Sequence, residues 1–183
     1  VDFHFHHYNI GVFEKIVQES LGKYTKYIIM NFDHERVPEI VSNIPDEQLL
    51  IIDWKIHAKE SQSVVFQNFG TPVYKCLEQH LESIQKFNHL TFFYPPFTYH
   101  PKTAIDYFKR FCNDYQIKHS VIFDEEKFRI KKGGLYLLVS DRTLASFLDQ
   151  CAENVFEPGR DVGVISYNET PMKKYVKNGI SVI

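Results

Sequence analysis

Residues 162–171, VGVISYNETP, join a short apolar run to a polar break. The run at 162–167 is rich in β-branched residues and follows the turn signal EPGRD at 157–161, as is typical of a buried parallel strand. The carboxyl ends of parallel strands are where an open α/β sheet presents side chains to a ligand. This stretch therefore predicts a buried strand that carries the polar residues NETP to a binding edge.

Beyond the polar break, the sequence predicts one helix and one further strand. Pro171 suits the first turn of the helix, Thr170 is its expected N-cap, and Gly179 is expected to end it. The residues ISVI at 180–183 are then typical of another strand. Strand, polar turn, helix and strand together form the building unit of a parallel α/β sheet.

The same alternation extends over most of the chain. Strands are predicted at 1–8, 27–30, 49–52, 63–66, 90–94, 119–123, 135–139, 162–167 and 180–183. Helices are predicted at 12–21, 34–44, 71–87, 102–115 and 141–151. Because no run of hairpins interrupts this order, the sequence predicts an α/β fold of parallel sheets with helices on both faces. The number of strands fits two lobes, residues 1–87 and 88–183.

Composition excludes several classes of protein. The chain has 183 residues, of which 44% are hydrophobic, enough for a sizeable core. The formal net charge is −2 and no dense Lys/Arg cluster occurs, so we expect that any DNA is read by another part of the protein. Apolar runs reach only about five residues, against the roughly 20 of a membrane span, so no membrane partner is expected.

The cysteines and the N-terminal histidines predict structural roles. Cys76, Cys112 and Cys151 form no close-spaced pair, as expected of reduced core residues in a cytoplasmic protein. His4 and His6 alternate along the predicted first strand, but no carboxylate or cysteine stands beside them at ligand spacing. We expect a polar strand face there and no bound metal.

Common catalytic and phosphate-binding motifs do not occur in the sequence. Gly-x-Ser-x-Gly, which would support a nucleophile, is missing, and so are Gly-x-Gly-x-x-Gly and Gly-Lys-Ser/Thr, which would support a phosphate-binding loop. We therefore expect a protein that is not an enzyme and holds no cofactor. A small α/β enzyme that uses Asp53 or Asp141 as its acid or base stays open as an alternative.

Polar and aromatic residues recur where the predicted strands end. Asn68 and Phe69 follow one strand, while Asp141 and Asn168 follow two others, and a stiff aromatic loop, PPFTYHP at 95–101, follows a fourth. Sugars are bound by amides and carboxylates that take paired hydroxyls and by aromatic faces that pack on the ring. A local role is equally open for three of these residues: Asp141 as a helix cap, Asn68 as a turn residue and Phe69 as core.

Residues 162–183 resemble the effector domain of LacI/GalR-type bacterial repressors, which has a periplasmic-binding-protein-like fold. In that family an apolar strand ends in an Asn-Asp turn, and a helix, a glycine and an Ile-Ser-Val-Ile-like strand follow. Here the turn is Asn168-Glu169 and the strand is ISVI at 180–183. The resemblance covers nearly the whole chain. The sequence is most similar to effector domains that follow a GntR-type winged-helix DNA-binding domain.

The resemblance implies a two-lobed sensor of a small sugar or sugar-like effector. The effector is expected to bind between the lobes, and a homodimer to carry the resulting shift to DNA-binding domains outside this chain. The fold is expected to be truncated at both ends, without its first strand and helix and without the part after the return crossing. A periplasmic sugar-binding protein of the same fold is an alternative, which a signal peptide upstream of residue 1 would favour.

The residues that the resemblance assigns to effector binding are Asn68, Phe69, Lys102, Ser140, Asp141 and Asn168. Asn168 matches the first residue of the family's Asn-Asp turn and keeps an amide that both donates and accepts hydrogen bonds. Asn68 and Phe69 match a polar pair that opens the long helix, and Ser140 and Asp141 match a polar position.

Lys102 takes the position of an effector-binding arginine in the family. That arginine stands five residues before a Gly-aromatic pair, whose place is taken here by Tyr107-Phe108. Lysine offers a point charge instead of the planar fork of arginine. The resemblance therefore implies a charged contact at Lys102 without the paired hydrogen bonds of a guanidinium group.

Overall fold

Two parallel β-sheets form the framework of the protein. The computed structural model describes residues 1–54, 58–98, 100–176 and 180–183. The chain divides into two units, Val1–Gln67 and Asn68–Ile183, each with its own sheet. The α/β class with parallel sheets, predicted from the alternation of apolar runs and amphipathic stretches, is confirmed.

The first unit contains a three-stranded sheet in the order β1-β2-β3. Its elements are helix α1 (Ile10–Ser20), strand β1 (Tyr27–Met30), helix α2 (Val37–Val41), strand β2 (Leu49–Asp53) and strand β3 (Ser63–Phe66). Both strand pairs are parallel. Alternate residues of β1 and β2, such as Ile29 and Ile51, are buried in one core with Phe13 and Val17 of α1, because side chains of a strand point to opposite faces in turn.

Residues 1–8 form no strand, in contrast to the sequence prediction. Instead, His7 and Tyr8 form a turn with left-handed backbone, and Asn9 caps α1 by accepting a hydrogen bond from the Val12 N–H at 3.0 Å. The His6 ring stacks on Phe32 with ring centroids 4.9 Å apart. The alternating pattern failed as a predictor because, within the described residues, β1 pairs only with β2 and no strand pairs with this segment.

The second unit contains a five-stranded sheet in the order β5-β4-β6-β7-β8. Its strands are β4 (His89–Phe93), β5 (His119–Ile122), β6 (Gly134–Leu138), β7 (Gly163–Ser166) and β8 (Ser181–Val182). Its helices are α3 (Thr71–Gln79), α4 (Leu81–Ile84), α5 (Thr103–Asp114) and α6 (Asp141–Asn154). The paired strands run parallel to each other, so their carboxyl ends meet at one edge of the sheet, which we call the carboxyl edge.

Both faces of the second sheet are covered by helices. On one face, Leu90, Phe92 and Leu137 pack with Val73 of α3 and Phe108 of α5. The opposite face packs against α6 through a set of residues that alternates with the first: Phe93, Tyr136 and Leu138, with Leu144 and Phe147 of the helix. All five residues of β6 are buried, as expected of a central strand in a doubly covered parallel sheet.

The boundary between the two units differs from the predicted lobes 1–87 and 88–183. Residues 68–87 belong to the second unit, because Val73 and Leu77 of α3 and Ile84 of α4 lie in the same core as Phe108 and Phe111 of α5. The predicted helix 71–87 is also interrupted at His80, which separates α3 from α4. Among the described residues, no helix combines the length and apolar character needed to cross a membrane.

The helix predicted after Pro171 is not formed in the described residues. Residues 171–172 are a turn, and a single 3₁₀ turn, Lys173–Tyr175, follows. The expected end of the helix, Gly179, lies outside the described residues. The side chain of Lys173 turns inward and is 3% exposed. Its contacts with Tyr167, Asn168 and Asp141 hold this segment against the carboxyl edge of the sheet.

Candidate functional site

The carboxyl edge of the second sheet brings several predicted binding residues into one region. Ser140 and Asp141 follow β6, and Tyr167 and Asn168 follow the neighbouring strand β7. Because the two strands are parallel and paired, their ends lie side by side. The residues that follow β6 and β7 are therefore neighbours at the carboxyl edge.

Asn168 presents its side chain to solvent from a fixed backbone. Its φ is 60°, in the left-handed region that asparagine adopts more readily than most residues. Its N–H donates to the carbonyl oxygen of Ile183 at 3.1 Å. The residue is exposed, and its amide group has no hydrogen bond within the part of the chain that the structure describes. The amide therefore keeps both its donors and its acceptor available.

Lys173 connects the two strand ends. Its ammonium group donates to the carbonyl oxygens of Tyr167 at 2.8 Å and Asn168 at 2.5 Å, and lies 3.1 Å from Oδ1 of Asp141. Sequence reasoning missed this residue, since the segment was predicted to be a helix. The available signal was the pair Lys173-Lys174 close after Pro171, in the segment that follows β7, but the sequence does not show which lysine turns inward.

Ser140 and Asp141 have different roles at the start of α6. Ser140 is the N-cap: its hydroxyl accepts from the Thr143 N–H at 3.3 Å, and Thr143 Oγ1 accepts from the Ser140 N–H at 3.4 Å. This reciprocal capping occupies much of the hydrogen-bonding capacity of Ser140. The side chain of Asp141 is 63% exposed, so its carboxylate can contact a ligand while it pairs with Lys173.

Asn68 uses its amide locally. Its Oδ1 accepts from the N–H groups of Gly70 and Thr71, both at 3.1 Å, and its Nδ2 donates to Thr71 Oγ1 at 3.1 Å. These bonds satisfy free donors at the start of α3. The geometry therefore supports the turn-forming role of Asn68 at least as strongly as a ligand contact.

Phe69, a predicted binding residue, packs in a group of aromatic side chains that also includes His100 of the predicted loop 95–101. Phe69 is half-buried, and its ring meets His100 edge to face at 5.2 Å; His100 in turn meets Tyr167 at 4.2 Å. The backbone carbonyl of His100 accepts a hydrogen bond from the Tyr94 hydroxyl. We call Phe69, Tyr94, His100 and Tyr167 the aromatic group. The signal for it was the loop PPFTYHP, which the sequence analysis identified as a candidate binding edge.

Burial sets the protonation of this group. It lowers the pKa of His100 to about 4 and raises the pKa of Tyr167, in both cases by penalising the charged form. His100 Nε2 is buried and has no hydrogen-bond partner among the described residues. A neutral imidazole of this kind can pack against an apolar surface or exchange one hydrogen bond with a hydroxyl group.

Lys102 stands apart from these contacts. It directly precedes α5 and is exposed, and its side chain makes no hydrogen bond or ion pair in residues 1–54, 58–98, 100–176 and 180–183. Among those residues, no hydrogen bond or ion pair joins it to Asp141, Lys173 or Asn168. Its assignment to effector binding stays a prediction that rests on the resemblance.

The described residues contain no group of three or more histidines, cysteines or acids that could hold a metal ion. They do contain a groove of about 570 Å³, lined by Phe87, Leu135, Arg160 and Gly163, among others. Leu135 lies near the start of β6 and Gly163 begins β7, so the groove extends toward the amino ends of these strands. It is therefore distinct from the carboxyl edge.

Among known proteins, the matches to this chain come from solved structures. No family model and no curated protein matches the chain. A LacI family transcriptional regulator from Lactobacillus casei with bound glucose matches with a TM-score of 0.69 and 10% identity, covering 95% of this chain and 71% of that chain. The trehalose repressor from Escherichia coli matches with a TM-score of 0.71 and 9% identity, over 96% and 70%. The Lac repressor bound to ONPG matches with a TM-score of 0.72 and 10% identity, over 95% and 57%.

The chain has the fold of LacI-family regulators. This LacI-type fold confirms the architecture that the resemblance implied from residues 162–183. At about 10% identity the likeness concerns the fold, and a common fold hosts different functions. Residue roles at the carboxyl edge therefore have to be argued from the geometry of this chain.

Proposed function

We propose that this chain is the sugar-sensing domain of a bacterial transcription regulator. The observation that carries the proposal is the LacI-type fold, which it shares with regulators including one that was solved with bound glucose. The amide, carboxylate and aromatic side chains at the carboxyl edge support it, because this is the edge at which open α/β sheets bind ligands. We place the effector against Asn168, Asp141 and the aromatic group.

The chemistry of this edge suits a hydroxyl-rich ligand. The exposed amide of Asn168 can donate to and accept from neighbouring hydroxyls, and the carboxylate of Asp141 accepts from two. The half-buried rings of Phe69 and His100 in the aromatic group offer apolar surface for the C–H face of a sugar ring. The resemblance adds four proposed contacts: Lys102, Asn68, Phe69 and Ser140. The side chains of Asn68 and Ser140 already accept hydrogen bonds from backbone N–H groups at the starts of α3 and α6.

Regulation follows from differential binding. An effector that binds one conformation of the domain more tightly shifts the population toward it. In the proposed regulator, a homodimer transmits this shift to a DNA-binding domain that lies outside these 183 residues. The net charge of −2 supports the assignment of DNA binding to a separate domain.

Calorimetric titration with a panel of monosaccharides and disaccharides tests the proposal. We expect at least one sugar to bind the intact protein and Asn168→Ala to weaken that binding by about tenfold, the value of one well-placed hydrogen bond. Asn113→Ala, at an exposed position near the end of α5, is the matched control and should bind as the wild type does. Absence of heat with every sugar would overturn the proposal, and turnover of a sugar would favour an enzyme.

A further inference from the structure

Lys173 is a buried lysine whose three donors all have partners. Its ammonium group meets the carbonyl oxygens of Tyr167 and Asn168 and the carboxylate of Asp141, at 2.5 to 3.1 Å. A lysine side chain carries three N–H donors and no acceptor, so the set is complete. Lysine is almost never this buried unless it is paired, which makes the arrangement a specific structural feature rather than a surface ion pair.

We infer that Lys173 is a positioning residue of the effector site, which orients Asn168 and Asp141 before the ligand arrives. This inference rests on the proposed function and adds to it a residue that does not itself touch the ligand. Its 3% exposed side chain and its three occupied donors leave it no capacity for a direct contact. Its effect on binding must pass through the residues that it holds.

The backbone of Asn168 is held from both sides. Its N–H is bound to Ile183 at the end of β8, and its carbonyl oxygen is bound to Lys173. Together these bonds stabilise the left-handed φ of 60°, which would otherwise cost free energy. Because the backbone fixes the direction of the Cα–Cβ bond, the amide starts from one position at the carboxyl edge, and less backbone entropy has to be lost when a ligand binds.

Asp141 is oriented by the same ammonium group. Lys173 approaches Oδ1 of Asp141, and the side chain stays 63% exposed, so the carboxylate is fixed at one side and accessible at the other. Lys173 therefore ties the turn after β7 to the first turn of α6 after β6. Two proposed ligand contacts on different elements share one support.

A mutant cycle between Lys173 and the two residues that it holds, Asn168 and Asp141, tests the inference. Lys173→Met keeps the unbranched apolar part of the buried side chain but removes the charge and the three donors. We expect it to weaken sugar binding by about tenfold in the wild-type background, and by less than about twofold in the Asn168→Ala and Asp141→Ala double variant, where the residues it positions are gone. Equal losses in both backgrounds would overturn the inference and indicate a purely structural role.

Asp161→Asn is the matched control for stability. Asp161 is buried in the turn before β7, where it binds Arg160, Lys132 and the Glu157 N–H, so the variant should lower Tm without changing the affinity for sugar. In the ligand-free protein, Lys173→Met should speed hydrogen exchange of the Asn168 N–H, and unchanged exchange would count against the inference.

If Lys173→Met does not fold, Lys173→Arg provides a second test. It keeps the charge in a longer planar group, so it should fold and bind sugar more weakly. Wild-type affinity in Lys173→Arg would refute the inference.

The outcomes separate the two proposals. Failure of the wild type to bind any sugar overturns the proposed function and this inference with it. Normal binding by the wild type together with unchanged binding by Lys173→Met overturns the inference alone. A loss of binding in Lys173→Met that largely disappears in the Asn168→Ala and Asp141→Ala double variant, with normal binding by Asp161→Asn, supports it.

Discussion

His100 is the residue of the carboxyl edge whose protonation is most strongly affected by its surroundings. Its imidazole packs against Phe69 and Tyr167, and its Nε2 lacks a partner in the described part of the chain. Burial lowers its pKa from 6.5 to about 4, because the charged imidazolium would lose its hydration. The folded protein therefore keeps this side chain neutral at pH values where the unfolded chain binds a proton.

We expect His100 to make the protein less stable in mild acid. Above pH 6.5 both states are neutral at this residue and it contributes nothing; as the pH falls from 6.5 toward about 4, only the unfolded state takes up the proton, so stability decreases. After allowance for partial solvent access, the loss is on the order of 1 kcal/mol. Urea unfolding of the wild type and of His100→Phe at pH 7 and pH 4.5 measures it.

The difference between the two proteins isolates His100 from other groups. His6 and His89, whose pKa values are also lowered by burial, are present in both and cancel. His100→Phe keeps a ring between Phe69 and Tyr167 but does not titrate. An identical pH dependence of the two unfolding free energies would show that the pKa of His100 is not lowered.

At the scale of elements, α3 shows how a helix is assigned to one of the two units. Pro72 lies in the first turn, and Val73 and Leu77, four residues apart, lie on one face and are fully buried, as expected of residues one turn apart. That face packs against Phe108 and Phe111 of α5. The hydrophobic stripe of α3 was visible in the sequence, but the partner that covers it was not.

Leu77→Ala should destabilise the second unit strongly. The change leaves a cavity between α3 and α5, and such truncations of buried leucine cost about 2–5 kcal/mol in unfolding free energy. Tyr74→Phe on the same helix, which removes only an exposed hydroxyl bonded to Asp114 at 2.8 Å, is the control and should have a small effect. Urea unfolding monitored by circular dichroism measures both, and equal effects would contradict the packing of α3 in this core.

At the scale of the whole molecule, the two sheets differ in how far their strands are buried from solvent. β6 is paired on both sides and has all five residues buried. β3, in contrast, pairs only with β2 among the described residues, and its residues are mostly exposed. The outward face of the first sheet also exposes Ile28 and Val65. The apolar burial that stabilises a sheet is therefore larger around β6 than around β3.

Hydrogen exchange should reflect this difference. We expect backbone amides of β4 and β6 to exchange most slowly, because their opening requires loss of a core that covers both faces, and those of β3 to exchange fastest among the strands. Exchange followed by mass spectrometry or NMR measures the order. Uniform protection of β3 and β6 would contradict the burial seen in the structure.

The fold class and part of the candidate site could be predicted from local sequence. Apolar runs at 27–30, 49–52 and 135–139 and stripes at helical spacing give strands and helices, because side-chain periodicity is a property of neighbouring residues. The polar ends after β6 and β7 followed from the same reasoning, since a parallel sheet presents its carboxyl ends at one edge. Residues 1–8 show the limit of this approach: alternation alone does not make a strand without a partner strand.

The sequence alone determined the alternation of strands and helices, from which parallel sheets were inferred, and the polar Asn168 at a strand end, because these features depend on residues close together in the chain. Only the tertiary structure decided that Lys173 turns inward to join Asp141 and Asn168, that burial among aromatic rings lowers the pKa of His100, and that residues 68–87 pack with the second unit. These features depend on burial and on partners distant in sequence, and no local pattern encodes which partner a side chain meets.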